Sequence, residues 1–452
     1  MGLAITSIGK GSQGERSVPG DTFTNKQLLA HLKKGLNFWQ RAGLWIAPSQ
    51  IKKAERALVV LEKKTGVKQR QMMISDTLYP NELLGTAAAL DAIAQMKKKN
   101  PKFTPKDIHG FVLVTDTRDS VFPVSGKIIA KSLGIRPMHF ANASLACSSV
   151  VNAFWQACSM MEYDEDCKYV LVVASDVTSR LHQPTAKKQP FLFGDQAVAF
   201  ILEKTNGKGG IKVSNISLDV DAPDIFHAPL FTGDTPKHVD RFHNPDFGND
   251  WNLKLFGEYE AKSIAGLYRY YLATQVGGNN GTVPSNGDAH KEMFIVPQVS
   301  LNILNEGAKN AEVDCSDYEG RLVRNTVLEH GITGAAGTPL AMYYLNQTNS
   351  LSDTPFTAFI SAIGGLNAMF TYDPNASKLF DYGFKIIPGS LIQGKSSGED
   401  GTLPDMNVQI VKSNGHTNGL AEPEHWEIDA AANEIISVLG NSPEVRLAVV
   451  HK

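Results

Sequence analysis

Cys147 is the residue whose surroundings best fit covalent chemistry. A thiol attacks a thioester only as the thiolate, and its free pKa is about 8.5, so a reactive cysteine needs a setting that stabilises negative charge. After Cys147, apolar residues recur at steps of three and four, which predicts a helix with one buried face: Val150, Phe154, Ala157, Cys158 and Met161. Cys147 should therefore lie near the N-terminus of this helix, where the helix dipole favours a thiolate.

The other three cysteines have weaker cases. Cys158 falls on the buried face of the same helix and is expected to pack there, and Cys167 and Cys315 each follow acidic residues, which disfavour a thiolate. The spacings fit neither a Cys-x-x-Cys metal site nor a dense disulfide framework. A lone cysteine in an apolar context is more often structural than reactive, so the wider pattern has to identify a nucleophile.

Strand-like and helix-like segments alternate along the chain, which is typical of an α/β protein. Short apolar runs of the kind found in buried strands are residues 3–8, 111–114, 169–174, 197–202, 294–296 and 359–363. Helical patterns between them cover residues 81–97 and 261–272.

Two segments lack this pattern. Residues 218–253 are rich in Asp, His, Pro, Gly and Asn, which predicts a long loop or insertion of the kind that often covers a functional site. Residues 389–419 are rich in Gly, Ser and Asn, and a helical and a strand-like segment follow them. We therefore expect a small C-terminal appendage over residues 375–452.

Composition excludes several classes of protein. A net charge of −2 gives no electrostatic reason to expect nucleic acid or an anionic membrane as a partner. The chain has no run of about 18 apolar residues and no signal-peptide pattern at its start. A cytoplasmic protein is the expectation.

Five short segments carry a more specific signal. They are Thr-Gly-Val-Lys-Gln-Arg at 65–70, Ala-Asn-Ala-Ser-Leu-Ala-Cys-Ser-Ser at 141–149, Ser-Asp-Val-Thr-Ser-Arg at 175–180, Leu-Phe-Gly-Asp-Gln-Ala-Val-Ala at 192–199, and the glycine-rich stretch 331–339. In this order they resemble segments of the ketoacyl synthase III family, which belongs to the thiolase-fold condensing enzymes. Each segment is weak evidence alone, and five in order are strong evidence.

The resemblance implies a thiolase-like α/β fold of two similar halves in α-β-α-β-α layers, each half with a five-stranded sheet. The halves would be residues 1–204 and 205–374, with the insertion at about 218–253 in the second half. Family members are usually homodimers, so the resemblance implies a homodimer. A heteromer with another condensing enzyme is the alternative.

The family reaction has two stages. An acyl group moves from coenzyme A or an acyl carrier protein onto the cysteine, here Cys147, and then onto a carbanion made by decarboxylating a malonyl thioester. The resemblance implies an oxyanion hole formed by the backbone N–H groups of Cys147 and of Gly364 or Gly365. It implies no metal ion and no resident cofactor, because the phosphopantetheine thioester is the substrate. Positions implied to bind substrate are Lys64, Arg180, Phe193, Gln298 and Ile332.

Two catalytic residues of the family are replaced. The family His falls on Pro297 and the family Asn on Ile332. In the family these two side chains donate hydrogen bonds to the enolate that decarboxylation produces, and losing one such donor costs on the order of 3 kcal/mol. Because neither Pro nor Ile has a side-chain donor, decarboxylative condensation should be badly impaired. Loading of Cys147 depends on backbone donors and should survive.

Two further positions bear on the substrates. His330 lies two residues before Ile332 and is a candidate general base for an amine or hydroxyl acceptor; alternatively, it fills a position that is often aromatic in the family. The family Trp and Arg that sandwich the adenine of coenzyme A fall on Val60 and Lys64. Since Val cannot stack as Trp does, a donor bound to a carrier protein is favoured over coenzyme A.

Three functions remain open from the sequence. The favoured one is an acyltransferase that passes the acyl group from Cys147 to an oxygen, nitrogen or preformed carbon nucleophile, in specialised (secondary) metabolism. The second is a decarboxylative β-ketoacyl synthase with a rearranged site. The third is a non-catalytic partner subunit of a heteromeric condensing enzyme, against which the intact cysteine argues.

Overall fold

The computed structural model describes residues 2–11, 20–34, 48–73, 79–120, 124–181, 192–219, 253–275, 292–310, 323, 325–362 and 365–376. The chain divides into two units, residues 1–397 and 398–452, and the second unit lies outside the described residues. So does most of the expected loop at 218–253. No helix in the described ranges is long and apolar enough to cross a membrane.

Eleven strands are described. In chain order they are β1 Gly2–Lys10, β2 Gly20–Thr24, β3 Gln69–Met73, β4 Ile108–Val114, β5 His139–Ala143, β6 Tyr169–Asp176, β7 Gln196–Thr205, β8 Gly210–Leu218, β9 Met293–Ile295, β10 Phe356–Ala362 and β11 Leu366–Asp373.

Nine α-helices are described, again in chain order. They are α1 Asn25–Lys34, α2 Pro48–Thr65, α3 Pro80–Lys99, α4 Lys127–Leu133, α5 Ser149–Tyr163, α6 Leu253–Gln275, α7 Leu301–Asn310, α8 Val327–His330 and α9 Gly337–Thr348.

The first sheet has five strands in the order β1-β7-β6-β4-β5. Strand β4 pairs in parallel with both β5 and β6, whereas β7 is antiparallel to β6 and to β1. All eight residues of β6 are buried, as expected for a central strand covered on both faces. This explains why the sequence there is a continuous apolar run rather than an alternating one.

The second sheet repeats the pattern of the first. Its described strands have the order β8-β11-β10-β9, with β9 parallel to β10 and the other pairs antiparallel. These strands correspond to β1, β7, β6 and β4. The resemblance implied a fifth strand in this sheet, and four are described. The backbone N–H of Val323 donates to Phe294 O at 2.9 Å, beside β9, where β5 lies beside β4 in the first sheet.

Helices form three layers around the two sheets. Helices α5 and α9 lie between the sheets and contact strands of both, α3 covers the outer face of the first sheet, and α6 covers the second. Phe154 of α5 illustrates the central core, since its ring meets Phe200 of β7 at 5.2 Å and Phe370 of β11 at 5.6 Å. On the outer side, Tyr268 of α6 stacks on Phe359 of β10 at 4.7 Å.

The layered α/β fold expected from the sequence is confirmed. The strands predicted at 111–114, 169–174 and 197–202 fall within β4, β6 and β7, and the helix predicted after Cys147 is α5. The boundaries proposed at residues 204 and 374 stay predictions, as does the structure of the appendage.

Candidate active site

Cys147 lies in a tight turn between β5 and α5, two residues before the helix begins. The Ser149 side chain fixes this turn, because its Oγ accepts from the Leu145 N–H at 2.6 Å and donates to Ala146 O at 2.7 Å. Ala146 has φ 49°, a left-handed conformation that is uncommon for a residue with a Cβ and that clusters at functional sites. The expected position of Cys147 at a helix N-terminus is thus borne out by the fold.

Two carboxylates, the half-buried Asp116 and the fully buried Asp176, hold the nucleophile turn (residues 144–149) against the ends of β4 and β6. Asp116 accepts from Ser144 Oγ at 2.8 Å and from the Ala146 N–H at 3.2 Å. The Asp116 N–H in turn donates to Asp176 Oδ1 at 2.9 Å. The turn is therefore positioned by the same hydrogen-bond network that ends the two parallel strands.

Asp176 extends this network to the second half of the fold. Its Oδ1 accepts from the Thr117 N–H at 3.1 Å and from Thr117 Oγ1 at 2.9 Å, and its Oδ2 accepts from the Ala335 N–H at 2.7 Å. Burial, and then the charge of Asp116, raise the pKa of Asp176 to about 7. Burial also raises the pKa of Asp116.

A small cavity of about 30 Å³ opens beside Cys147, which is room for about one water molecule. Its walls come from the turn before α5, from α6 and β10, from the loop before α7, and from the start of α9 with the loop before it. They are formed by Cys147, Phe256, Glu260, Pro297, Gln298, Val299, Ile332, Thr333, Gly334, Gly337, Thr338, Ile360 and Ser361.

Pro297 and Ile332, which the sequence analysis assigns to the family His and Asn positions, both line this cavity; the assignment itself stays a prediction. Gln298 also lines it, but its amide is already engaged. Its Oε1 accepts from the Thr326 N–H and Oγ1, each at 2.8 Å, and its Nε2 donates to Val296 O at 2.7 Å. The Gln298 amide is therefore held by hydrogen bonds within the loop. Its substrate-binding role stays a prediction, in which mainly the side-chain carbon atoms would face a ligand.

His330, the predicted general base, does not line the cavity. Its Nε2 lies 2.8 Å from Tyr344 Oη, and the two rings are 5.7 Å apart. The described geometry does not bring His330 to Cys147, and its catalytic role stays a prediction.

The loop that carries Ile332 is packed closely on the segment around Phe193. The Ile332 N–H donates to Leu192 O at 2.8 Å, and the Gly194 N–H donates to Ile332 O at 3.1 Å. A Cβ at position 194 would lie 2.0 Å from His330 O, so only glycine allows this approach. Phe193 contacts the site through its backbone bridge to Ile332 and does not line the cavity.

The remaining predicted residues lie elsewhere or outside the described set. Lys64 is exposed at the end of α2, and its carbonyl accepts from Asn302 Nδ2 at 2.8 Å. The Arg180 side chain and Gly364 lie outside the described residues. Gly365 is buried with φ 81°, and Ser148 Oγ donates to the adjacent Leu366 O at 3.3 Å, so this turn lies next to the nucleophile turn.

The electrostatic setting of Cys147 opposes the thiolate. Burial raises the pKa of the thiol, and the negative charges of Glu260, Asp116 and Asp176 raise it further. The helix N-terminus expected to stabilise the thiolate is present, but three carboxylates lie near the same sulfur. Cys158 and Cys167 are buried and burial raises their pKa values, which fits packing roles, and Cys315 lies outside the described residues.

Glu260 is the site residue that the sequence analysis missed. It lies on α6, is 1% exposed and lines the cavity with Cys147. Neither of its carboxylate oxygens has a well-formed hydrogen bond within the described ranges. A signal was available, because Glu260 falls midway between Phe256 and Ile264 on the apolar stripe of its helix, where a charged residue is rare.

Stability should depend on pH through Glu260. Burial raises the pKa of its carboxyl from 4.5 to about 7, and the nearby Ser361 hydroxyl lowers it in part. The described ionisable groups that face it are the Cys147 thiol and the Tyr259 hydroxyl, whose pKa values are both raised, so both stay neutral near pH 7. Ionisation of Glu260 therefore opposes folding.

Glu260→Gln should remove this pH dependence. Below about pH 4 the Glu260 carboxyl is protonated in both states and costs nothing; as the pH rises through about 7, wild type loses about 3 kcal/mol of unfolding free energy that the variant keeps. Urea denaturation across this range measures the difference in slope, with the exposed Glu258→Gln as the matched control. Equal slopes for wild type and Glu260→Gln would contradict the raised pKa.

A known protein family matches the segment of the chain that contains Cys147. The family model described as 3-oxoacyl-[acyl-carrier-protein (ACP)] synthase III matches residues 142–222, which include Cys147. A β-ketoacyl-[acyl-carrier-protein] synthase III from Blochmanniella floridana is 27% identical over 310 residues, covering 65% of this chain and 87% of the relative. One from Wolbachia pipientis wMel is 24% identical over 308 residues, covering 68% and 87%.

Solved structures share the fold. The 3-oxoacyl-[acyl-carrier-protein] synthase III of Aquifex aeolicus aligns with a TM-score of 0.59 at 17% identity, covering 82% of this chain and 99% of that one. OleA of Xanthomonas campestris, solved with lauric acid and lauroyl-CoA bound, aligns with a TM-score of 0.59 at 16% identity, covering 82% and 99%. In motif, family match and layered fold together, the chain is similar to the ketoacyl synthase III enzymes, and it shares the fold of these solved structures.

Proposed function

We propose that this protein takes an acyl group from a carrier-protein or coenzyme A thioester onto Cys147 and transfers it to an acceptor without decarboxylating a malonyl unit. One observation carries the proposal. The cavity beside Cys147 is lined by Pro297 and Ile332, the residues that the sequence comparison assigns to the positions of the family's two side-chain donors. Relatives named for acyl-carrier-protein substrates and an OleA solved with lauroyl-CoA support an acyl thioester as the donor.

Loading needs little beyond the cysteine and backbone donors. The sulfur attacks the thioester carbon, the carbonyl oxygen gains negative charge, and the donor thiol leaves with the proton from Cys147. The backbone N–H groups of Cys147 and of the Gly364–Gly365 turn are the donors that would stabilise that oxygen. Because the attacking and leaving groups are both thiols, one thioester replaces another and the exchange needs no further reactant.

Intact-protein mass spectrometry tests loading. Incubation with a panel of acyl-coenzyme A and acyl-carrier-protein donors should add one acyl mass to wild type and none to Cys147→Ala, because the alanine variant has no nucleophile. Cys158→Ala is the matched control, since Cys158 is fully buried on the same helix and its loss should leave the mass gain intact. No gain on folded wild type with any donor would contradict the proposal.

A specific observation favours a second candidate, the non-catalytic partner subunit. Three carboxylates raise the pKa of Cys147, which is the opposite of what a poised nucleophile needs. In this case the thiol would be a remnant, and activity would require a second, complete synthase chain. The same mass measurement separates the two candidates.

We also propose a homodimer, formed through the β5 edge of the first sheet. Strand β5 is the last strand in that sheet, and edge strands leave backbone groups available for pairing. Large apolar side chains are exposed beside that edge, with Met138 at 62%, Phe140 at 41% and Val124 at 50% exposure. An edge of this kind fits an interface between chains, whether with a second copy or with another condensing enzyme.

A further inference from the structure

The cavity beside Cys147 contains a buried carboxylate for which loading has no use. Glu260 is 1% exposed, and both its oxygens lack a well-formed hydrogen bond from any described residue. Burying a carboxylate with only the nearby Ser361 hydroxyl to offset the loss of water is costly, so its place at the wall of a reactive cavity needs an explanation other than stability.

The polar groups around this cavity point to a ligand that carries a proton. Besides Glu260, the hydroxyls of Thr333 and Ser361 line the cavity, and neither has a well-formed hydrogen bond among the described residues. The rest of the wall is largely apolar, with Phe256, Ile332 and Ile360 among it. A small hydroxyl or amino group entering the cavity would meet these three polar residues among its walls.

Electrostatics identifies the half-reaction that this carboxylate would serve. The charge of Glu260 raises the pKa of the Cys147 thiol, so it hinders the formation of the thiolate during loading. Once Cys147 is acylated it carries no proton, and this conflict disappears. The second half-reaction has the opposite need, because a neutral hydroxyl or amine has to lose a proton as it attacks the acyl carbon.

We propose that Glu260 is the general base of acyl transfer and that the acceptor presents a hydroxyl or an amine at a narrow end. This inference rests on the proposed function. The acceptor oxygen or nitrogen forms a bond to the acyl carbon while its proton passes to the Glu260 carboxylate. The bond from the acyl carbon to the Cys147 sulfur breaks, the sulfur leaves with the electron pair, and the proton then moves from Glu260 to that sulfur. Thiol and carboxylate are regenerated without another reactant.

Geometry restricts the acceptor. A cavity of about 30 Å³ admits a water molecule or the terminal group of a larger molecule, which favours an acceptor whose hydroxyl or amine stands at the end of a slender chain. The pKa of Glu260, raised to about 7 by burial, suits a base that has to accept a proton and return it near neutral pH.

The test is single-turnover transfer from preloaded protein. Wild type, Glu260→Gln and the exposed control Glu258→Gln are acylated, freed of donor, and mixed with ethanolamine, which carries both an amine and a hydroxyl. Loss of the acyl mass from Cys147 should be slower by about a hundredfold or more in Glu260→Gln, and unchanged in Glu258→Gln. Below about pH 7 the wild-type rate should fall about tenfold per pH unit, whereas the Glu260→Gln rate should not follow this profile.

Alkylation separates a catalytic role from a structural one. Because Gln carries no charge, iodoacetamide should modify Cys147 faster in Glu260→Gln than in wild type at the same pH. Transfer at the wild-type rate, slow transfer with the wild-type pH profile, or unchanged alkylation would each overturn the role of Glu260 while leaving loading of Cys147 intact. Failure of every variant, wild type included, to load an acyl group would instead overturn the proposed function.

Discussion

With malonyl-coenzyme A or malonyl carrier protein, the protein should release carbon dioxide at least about a hundredfold more slowly than a ketoacyl synthase III that retains both side-chain donors. Decarboxylation turns the malonyl thioester into an enolate, whose oxygen requires hydrogen-bond donors. The sequence analysis assigns the two family donor positions to Pro297 and Ile332, and these two residues line the cavity without a side-chain donor. Release of radiolabelled carbon dioxide measures the rate directly.

Restoring the donors provides the control. The double variant Pro297→His with Ile332→Asn should release carbon dioxide faster than wild type, whereas Val299→Ile, at another wall of the same cavity, should not. Fast release by wild type would favour the decarboxylative synthase with a rearranged site. In that outcome the enolate oxygen would have to be stabilised by groups other than the two replaced residues.

Asp176→Ala should lower the unfolding free energy by about 4 kcal/mol or more, a large part of the stability of an ordinary domain. The substitution leaves buried donors without an acceptor, including the backbone N–H groups of Asp116, Thr117 and Ala335. It also disconnects Asp116, which holds the nucleophile turn through Ser144. Urea denaturation followed by circular dichroism measures the loss.

Asp176→Asn is the matched variant for this prediction. Its amide oxygen can replace Oδ1 and accept from Asp116 and Thr117, but its NH₂ group faces the Ala335 N–H in place of Oδ2. The expected loss is therefore smaller, about 1–2 kcal/mol for one unsatisfied donor. Similar losses for the Ala and Asn variants would contradict the account in which hydrogen-bond acceptance is the function of this side chain.

The features that were predictable share a local origin. The α5 helix follows from the three-and-four spacing after Cys147, and β6 from a continuous apolar run with both faces buried. The family motifs were also local, and one has a visible cause: position 194 needs glycine because a Cβ would collide with His330 O. The replacements predicted at Pro297 and Ile332 were inferred from departures within short motifs.

The features that were not predictable depend on pairs of residues far apart in the chain. Glu260 is more than a hundred positions from Cys147, and only the packing of α6 onto the second sheet brings its carboxylate to the same cavity. His330 ends α8, two residues before Ile332, but its side chain pairs with Tyr344 rather than lining the cavity. The closeness of His330 to Ile332 in the sequence did not predict where the His330 side chain points, because side chains two residues apart on a turn point in different directions.

The sequence by itself determined the class of fold and singled out Cys147 as the candidate nucleophile, since apolar periodicity and short contiguous motifs underlie both. Tertiary structure decided the chemistry around the nucleophile. The raised pKa of Cys147 arises from burial and from Glu260, Asp116 and Asp176, which three separate segments contribute. Charge–charge interactions act through space and depend on burial, so a helix N-terminus that favours a thiolate in isolation can be outweighed by carboxylates that only folding brings near it.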